Sequence, residues 1–306
     1  MAVKSKLPYS LHSRYRSIAL AWTIIIIPPI FINLGLFYGL WYGRPHMDRI
    51  AVLTIPTAVL GIFTALAIIE RIWKLTQKPP TFRPLNSPRH ALDIFQWGYF
   101  AALLLISALI SSTLARGDSD HDGHELQTRL ISLPTALLMF FLATLTLLSL
   151  LLNQLALPLP FRFGSLEAGN AVRPAVYYIV EDVVAVDGNG SVEYREAWTE
   201  RYERSAGFRR MIWTVSVVWM VAFYVGAGVF TLLVLWLPMV AVYAVGWAGP
   251  FPLGGLMALW TIYYVRSVLR EEEEEGVDDF EAVDGHNGRV LRRDEDERAP
   301  LLDGRV

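Results

Sequence analysis

The chain has 306 residues, of which 54% are apolar and 18% are charged, and it contains no cysteine. Soluble domains carry about a quarter charged residues, and a chain without cysteine has neither a disulfide framework nor a zinc–cysteine site. The charges all lie outside five long apolar runs. This composition excludes a soluble enzyme and a disordered protein, and it indicates a polytopic membrane protein.

The apolar runs predict six membrane-spanning helices. A span needs about 20 apolar residues, since an α-helix rises ~1.5 Å per residue. The fifth run is long enough for two helices joined by a turn near Pro238. The predicted fold is therefore an all-α, polytopic transmembrane helix bundle with spans at 18–41, 51–69, 95–114, 131–152, 212–236 and 243–265.

The positions of Lys and Arg predict the orientation of the bundle. Of the 27 Lys and Arg residues, 23 lie in alternate segments outside the spans. Because cytoplasmic segments retain these residues, we expect both termini in the cytosol. The predicted regions are a cytosolic N-terminus (1–17), helices 1–4 (18–155), a cytosolic amphipathic loop region (156–210), helices 5–6 (211–266) and a disordered acidic cytosolic tail (267–306).

The loop between helices 3 and 4 carries a candidate metal site. Its alternating acids followed by Gly123 match the start of a calcium-binding loop, but Arg129 stands where the bidentate Glu should be. Two histidines in the loop suit zinc instead, and a solvated acidic turn is the alternative to any metal site. The candidate ligands are Asp118, Asp120, His121, Asp122 and His124.

The loop between helices 4 and 5 contains an apolar segment, 175–186, which its Val and Tyr content leaves open as a helix or a strand. After it, Tyr194, Trp198 and Tyr202 recur at helical spacing. The sequence between them is charged, which predicts an amphipathic helix whose aromatic face lies in the lipid headgroup layer.

The same loop holds the residues that chemistry on a lipid would need. Paired carboxylates can act as acid and base when burial separates their pKa values. The candidates are Glu181, Asp182 and Asp187, with Arg173 as a basic partner. The alternative interpretation is a structural lid that packs under the helix bundle.

The tail ends in a candidate sorting signal. Five acids in a row, Glu271–Glu275, predict disorder. Glu297 then precedes the pair Leu301 and Leu302 by four residues. This spacing resembles the acidic dileucine signal that adaptor complexes recognise on cytosolic tails, and a chance leucine pair in a solvated tail is the alternative.

The predicted spans contain no ionisable residue at mid-depth. Glu70 and Arg71 stand at the cytosolic end of helix 2, where we expect them to snorkel and pair. Asn33 is the clear polar residue at depth, and we expect it to bond to a neighbouring helix. The chain has no nucleotide-binding glycine loop and no histidines facing each other across helices, so we predict no cofactor.

Gly35, Gly39 and Gly43 repeat every four residues along the first span. This is the spacing of a close helix–helix contact face in membranes. Relief of crowding near the end of the helix is the alternative.

The stretch Arg173–Gly188, followed by a helix rich in Arg, Glu and aromatic residues and by Phe208-Arg209-Arg210, resembles the cytosolic segment of uncharacterised multi-span integral membrane proteins of filamentous fungi. The resemblance covers about 40 residues and the helix layout. It implies no activity, and it favours a fungal endomembrane protein.

The sequence thus predicts a non-enzymatic, carrier-like or scaffold protein of an endomembrane, for example of the vacuole. One alternative is a membrane-embedded enzyme acting on lipid at the cytosolic face, and another is a regulatory subunit of a membrane complex. The expected partners are the lipid bilayer and an adaptor complex at the tail, without nucleic acid.

Overall fold

The computed structural model describes residues 27–115 and 121–272. In these residues the regular structure is entirely helical, without a β-strand. Two of the helices continue from or into a short π-helical segment. The helices are α1 (Asn33–Gly43, preceded by a π-helical segment at Ile27–Ile32), α2 (Arg49–Thr76), α3 (Ile94–Leu114), α4 (His121–Ile131), α5 (Pro134–Gln154), α6 (Ala175–Asp182, extended by a π-helical segment at Val183–Asp187), α7 (Ser191–Arg204), α8 (Ala206–Trp236) and α9 (Met239–Ala248).

Within the part of the chain that the structure describes, five helices are long and apolar enough to cross a membrane. Four of them are α2, α3, α5 and α8, and the fifth is the span Met239–Glu272, which begins with α9 and continues past a turn at Gly249. The first predicted span is represented by a shorter apolar helix, Ile30–Gly43, and its residues before 27 lie outside the described part. The all-helical fold is therefore confirmed in the described residues, which hold five helices long enough to span a membrane, and the sixth span stays a prediction.

Local sequence signals explain where these helices begin. Asp93 precedes α3 and its carboxylate accepts a hydrogen bond from the backbone N–H of Gln96, at 2.9 Å. Ser205 caps α8 in the same way through the N–H of Phe208, at 3.0 Å. Such side chains satisfy backbone donors that have no partner within the helix. Pro134 opens α5, at a position where a missing N–H costs nothing.

One buried cluster joins α1, α4 and α9. The rings of Phe37 and Tyr243 stack with centroids 3.8 Å apart, and the Tyr243 hydroxyl donates to the Asn33 side-chain oxygen at 3.0 Å. The indole N–H of Trp247 donates to the carbonyl of Ile131 at 3.1 Å. Asn33 thus bonds to a neighbouring helix, as its depth in an apolar span predicts.

Two groups of glycines differ in how closely other atoms approach them. At Gly246 of α9, an added Cβ would lie 2.1 Å from the carbonyl oxygen of Ser132, so only glycine permits this approach. At Gly35, Gly39 and Gly43, an added Cβ would meet nothing within 4 Å. Among the described residues the predicted glycine contact face is therefore open, and close helix–helix contact through it stays a prediction.

Residues 162–204 lie between α5 and α8 and form a segment that we call the cap, which begins as irregular chain and continues as α6 and α7. The predicted choice between strand and helix for 175–186 is resolved as helix, formed by α6 and its π-helical extension. The cap is tied to α5 by the Asn153 side chain, which donates to the Val172 carbonyl at 2.7 Å. The hydroxyl of Ser149 also accepts from the N–H of Ala175, at 2.8 Å.

The aromatic face of α7 is buried inside the protein. Tyr194, Trp198 and Tyr202 are each at most 8% exposed. Trp198 lies against Phe208 of α8 and near Tyr177 of α6, with ring centroids 4.9 and 5.8 Å apart. The expectation that this face lies in the headgroup layer is therefore wrong, because neighbouring helices supply the apolar surface that covers it.

The chain divides into two compact units, Met1–Met257 and Ala258–Val306. The first holds the helices α1 to α9 and the cap. The second is helical through Glu272 in its described residues, and Trp260 and Tyr264 stack there with ring centroids 5.3 Å apart.

A buried charge cluster between the cap and the bundle

Six charged side chains meet where the cap contacts α2 and α3, and we call them the charge cluster. They come from α2, the residue before α3, α6, its π-helical extension and α7. Five of the six residues are no more than 6% exposed, while the sixth, Asp187, has a half-exposed side chain. The members are Arg71, Asp93, Glu181, Asp182, Asp187 and Arg195.

Arg195 is fully buried at the centre of the cluster. Its Nη1 lies 2.5 Å from Asp182 Oδ1 and 3.1 Å from Glu181 Oε1. Its Nη2 donates to the carbonyl of Phe82 at 3.2 Å and lies 3.7 Å from Asp93 Oδ2. A planar guanidinium can serve several acceptors at fixed angles, which a lysine ammonium cannot reproduce.

Arg71 connects the end of α2 to the start of α3 and to the cap. Its Nη2 lies 2.6 Å from Asp93 Oδ2 and donates to the backbone carbonyl of Asp182 at 3.3 Å. Its Nη1 pairs with Asp187. The guanidinium also lies over the ring of Phe95, 4.6 Å from the centroid. One side chain therefore holds the end of α2, the start of α3 and the cap together.

The acidic members also accept bonds from uncharged donors. Asp182 Oδ2 accepts from the backbone N–H of Phe95 at 3.0 Å. Glu181 Oε1 accepts from the hydroxyl of Ser165, which itself accepts from the N–H of Leu85 at 3.2 Å. Such bonds satisfy buried carboxylates that would otherwise pay a large desolvation cost.

The cluster holds four carboxyl groups and two guanidinium groups, so acids are in excess. Burial raises the pKa of Asp182 to about 7, and the charge of Asp93 acts in the same direction, while Arg195 opposes both. This shift follows the general rule that desolvation and like charges favour the neutral acid.

The geometry leaves little room for acid–base chemistry on a lipid. Glu181 and Asp182 are 1% and 2% exposed, and Glu181 Oε1 and both oxygens of Asp182 have partners within the protein. Buried carboxyl groups are costly to leave unpaired, and these two are paired with the Arg195 guanidinium.

Arg173 lies outside the charge cluster. Its guanidinium sits over the rings of Tyr177 and Tyr202, 4.6 and 4.9 Å from the centroids. It also pairs with Glu203 at 3.0 Å. The four residues predicted for lipid chemistry therefore divide into two places, with Glu181, Asp182 and Asp187 together and Arg173 apart.

The other predicted site residues are only partly covered by the structure. His121, Asp122 and His124 lie in α4, which begins within the predicted metal-binding loop. Across the described residues, no three His, Asp or Glu side chains are grouped to hold a metal ion, so the metal site stays a prediction. The predicted residues outside the described part are Asp118, Asp120, Glu297, Leu301 and Leu302.

Sequence reasoning missed half of the charge cluster. The expectation that Arg71 pairs with Glu70 is wrong, because Arg71 turns inward and Glu70 instead pairs with Lys74 at 3.0 Å. Asp93 was visible as a charged residue directly before an apolar run, and Arg195 as one of the charges on α7. Whether these residues come into contact depends on how the cap packs on α2 and α3, and local sequence patterns do not predict that packing.

A family model described as a domain of unknown function (DUF8766) matches residues 2–276, nearly the whole chain. No curated protein matches the chain. No solved structure matches it either.

Proposed function

We propose that this chain, which belongs to the DUF8766 family of unknown function, is a non-enzymatic scaffold of an endomembrane. The observation that carries this proposal is the charge cluster, whose carboxylates are buried and paired inside the protein. Five apolar helices are compatible with a membrane protein. In the proposal a sixth span precedes them, and both termini and the cap face the cytosol.

The charge cluster supports a scaffold because it fixes the cap on the bundle. Arg71 belongs to a span, Arg195 belongs to the cap, and both contact Asp93 between them. Removing one member of such a buried network leaves an uncompensated charge and costs ~3–5 kcal/mol. A cap held this firmly presents a surface of constant shape to a partner.

The outer side of α7 is the surface that we assign to this partner. Glu193 and Glu196 are exposed there, one helical turn apart, while Tyr194 and Trp198 occupy the buried side. An acidic helical surface attracts a basic segment of a partner protein, and the attraction weakens as salt is added. The proposed partner is therefore a protein with a basic contact region.

The test is affinity purification of the tagged chain from detergent-solubilised membranes, beside the variant Glu193→Arg/Glu196→Arg. We expect one protein at near-stoichiometric yield with the natural chain, and its loss with the variant. The matched control, Lys78→Glu/Arg89→Glu, changes two exposed residues outside α7 and should keep the partner. A partner that is absent, or that both variants retain, would overturn the scaffold role.

A lipid-modifying enzyme is separated from the scaffold by Glu181→Ala/Asp182→Ala. In an enzyme, this variant would keep its fold and lose lipid turnover. In the scaffold, it leaves Arg195 buried without its acidic partners on α6, so we expect the cap to become sensitive to protease. Limited proteolysis of the purified protein measures whether the cap stays folded, and a lipid turnover assay measures whether an activity is lost.

The endomembrane location is proposed from the sequence of the tail. Glu297, Leu301 and Leu302 have the spacing of an acidic dileucine signal. The test is fluorescence imaging of an amino-terminally tagged chain in a filamentous fungus, beside Leu301→Ala/Leu302→Ala. We expect the natural chain in the vacuole or endosomes and the variant at the cell surface. A shared location for both would remove the sorting signal from the proposal.

A further inference from the structure

The segment that follows α5 is apolar, irregular and exposed. It runs from residue 155 to residue 161, reads Leu-Ala-Leu-Pro-Leu-Pro-Phe, and we call it the apolar segment. Leu155, Leu157 and Phe161 are 66%, 45% and 57% exposed. In water such a surface would be costly, at ~25 cal/mol per Å² of apolar area.

This exposed surface continues the outer face of the span α5. Leu148 and Leu151 are 52% and 48% exposed, and Leu155 follows them at helical spacing. The 21 residues of α5 correspond to a length of ~32 Å. Because the hydrocarbon core of a bilayer is ~30 Å thick, the apolar segment begins at the boundary of the leaflet next to the cap.

The backbone N–H groups of the apolar segment, up to residue 160, do not depend on water for a partner. Every N–H between residues 155 and 160 either bonds within the chain or is missing at a proline. Residues 155, 156, 157 and 159 donate to the carbonyls of Leu151, Asn153, Leu152 and Asn170 at 3.0–3.3 Å, and residues 158 and 160 are prolines. Irregular backbone can enter a membrane only when its polar groups have partners in the protein.

The first charge after the apolar segment is turned towards the protein. The Arg162 guanidinium donates to the carbonyls of Leu85 and Asn86, the latter at 2.7 Å. Its Nε also donates to the carbonyl of Gly164 at 3.2 Å. The guanidinium that directly follows the apolar segment in sequence is thereby bonded to the loop before α3.

We propose that residues 155–161 insert into the leaflet next to the cap, with Leu155, Leu157 and Phe161 among the lipid acyl chains. The occupant of this surface is lipid, because the surface is continuous with the exposed face of a membrane span. The proposal rests on the membrane placement of α5 and is independent of the scaffold role. Its effect is to hold the cap directly against the membrane surface.

The absence of cysteine from the chain makes a direct test simple. Leu157→Cys and Phe161→Cys variants each carry one spin label after reconstitution into phosphatidylcholine vesicles. Oxygen concentrates in the acyl chains and a nickel chelate stays in water, so relaxation by each reports the surroundings of the label. Leu148→Cys is the matched control in a span, and Glu167→Cys is the matched control on an exposed residue of the cap.

Insertion predicts that labels at 157 and 161 resemble the label at 148, with strong relaxation by oxygen and weak relaxation by nickel. Strong relaxation by nickel, as at 167, would overturn insertion and place the segment in water. Weak relaxation by both reagents would also overturn it and indicate contact with another protein chain. Strong relaxation by nickel at the control position 148 would show instead that α5 does not span the membrane. This outcome distinguishes a wrong placement of α5 from a wrong placement of the apolar segment.

Discussion

Arg195 and Asp182 form an ion pair in which neither side chain is more than 3% exposed, with Nη1 and Oδ1 2.5 Å apart. The two residues lie on α7 and α6, so the pair joins the two helices of the cap. Because Arg195 also reaches towards Asp93 before α3, the same guanidinium links the cap to the bundle. Stability of the cap should therefore depend on a small number of charges.

Replacing Arg195 by alanine should strongly destabilise the protein. The change leaves Glu181 and Asp182 buried without their guanidinium partner, and losing one side of a buried pair costs ~3–5 kcal/mol. The measurement is the apparent melting temperature in detergent, compared with Arg204→Ala. Arg204 is 68% exposed in its pair with Glu200, so that variant should melt within a degree or two of the natural protein. Equal melting of both variants would contradict the structural role of Arg195.

Stability should fall as the pH rises towards neutrality. The pKa of Asp182 is raised from 3.8 to about 7 by burial and by Asp93. Between those values the folded protein binds more protons than the unfolded chain, so the free energy of unfolding decreases with increasing pH. One such group contributes at most ~1.4 kcal/mol per pH unit. The stabilisation is present below about pH 4 and is lost as the pH passes through 7.

The variant Asp182→Asn tests this pH dependence, because its side chain cannot ionise. We expect its melting temperature to change less between about pH 5 and pH 8 than that of the natural protein. Glu196→Gln, at an exposed position on α7, is the matched control and should keep the natural slope. If Asp182→Asn keeps the slope too, another group is responsible. The charged groups that act on Asp182 besides Asp93 are Arg195 and Glu181.

Tyr243→Phe should weaken the contact between α1 and α9. It removes the hydroxyl that donates to Asn33 and leaves the buried Asn33 oxygen without that bond. Side-chain hydrogen bonds between membrane helices are worth ~0.6–1.7 kcal/mol, so a modest loss of stability follows. Tyr42→Phe changes a tyrosine that is 62% exposed and is the control. Thermal unfolding in detergent that ranks Tyr42→Phe as the more damaging change would refute this contact.

Gly246→Ala should disturb the packing of α9, since the new methyl group would lie 2.1 Å from the Ser132 carbonyl oxygen. Overpacking of this kind costs ~1–3 kcal/mol. Gly39→Ala introduces the same methyl group where nothing lies within 4 Å, so the stability of the single chain should not fall. Thermal unfolding compares the two, and size-exclusion chromatography shows whether Gly39→Ala changes an oligomer. A stable Gly246→Ala protein would contradict the close approach of α9 to Ser132.

The helical fold was predictable because its signal is local. A charge-free apolar run of about 20 residues is long enough to cross a bilayer as a helix, and a helix satisfies its own backbone there. Asp93 directly before such a run marks the start of α3. The charge cluster was not predictable in the same way. Arg71 and Asp182 are 111 positions apart, and only the docking of the cap decides that Arg71 turns inward rather than towards lipid headgroups.

The aromatic spacing on α7 shows the same limit. Tyr194, Trp198 and Tyr202 correctly indicate one apolar helical face. Periodicity does not state what covers that face, and both a membrane surface and another helix satisfy it. The structure selects the protein interior, since Tyr177 and Phe208 supply matching aromatic surface.

The long separation between Arg71 and its partners also has a consequence for biosynthesis. Chain elongation at ~5–20 residues per second leaves roughly 5–20 s between the synthesis of Arg71 and that of Asp182. During this interval Arg71 and Asp93 have been made, whereas their partners Asp182, Asp187 and Arg195 have not. Until the cap is complete, the charges of Arg71 and Asp93 lack their partners from the cap. Chains that stall before Arg195 should therefore be preferred substrates of quality-control proteases.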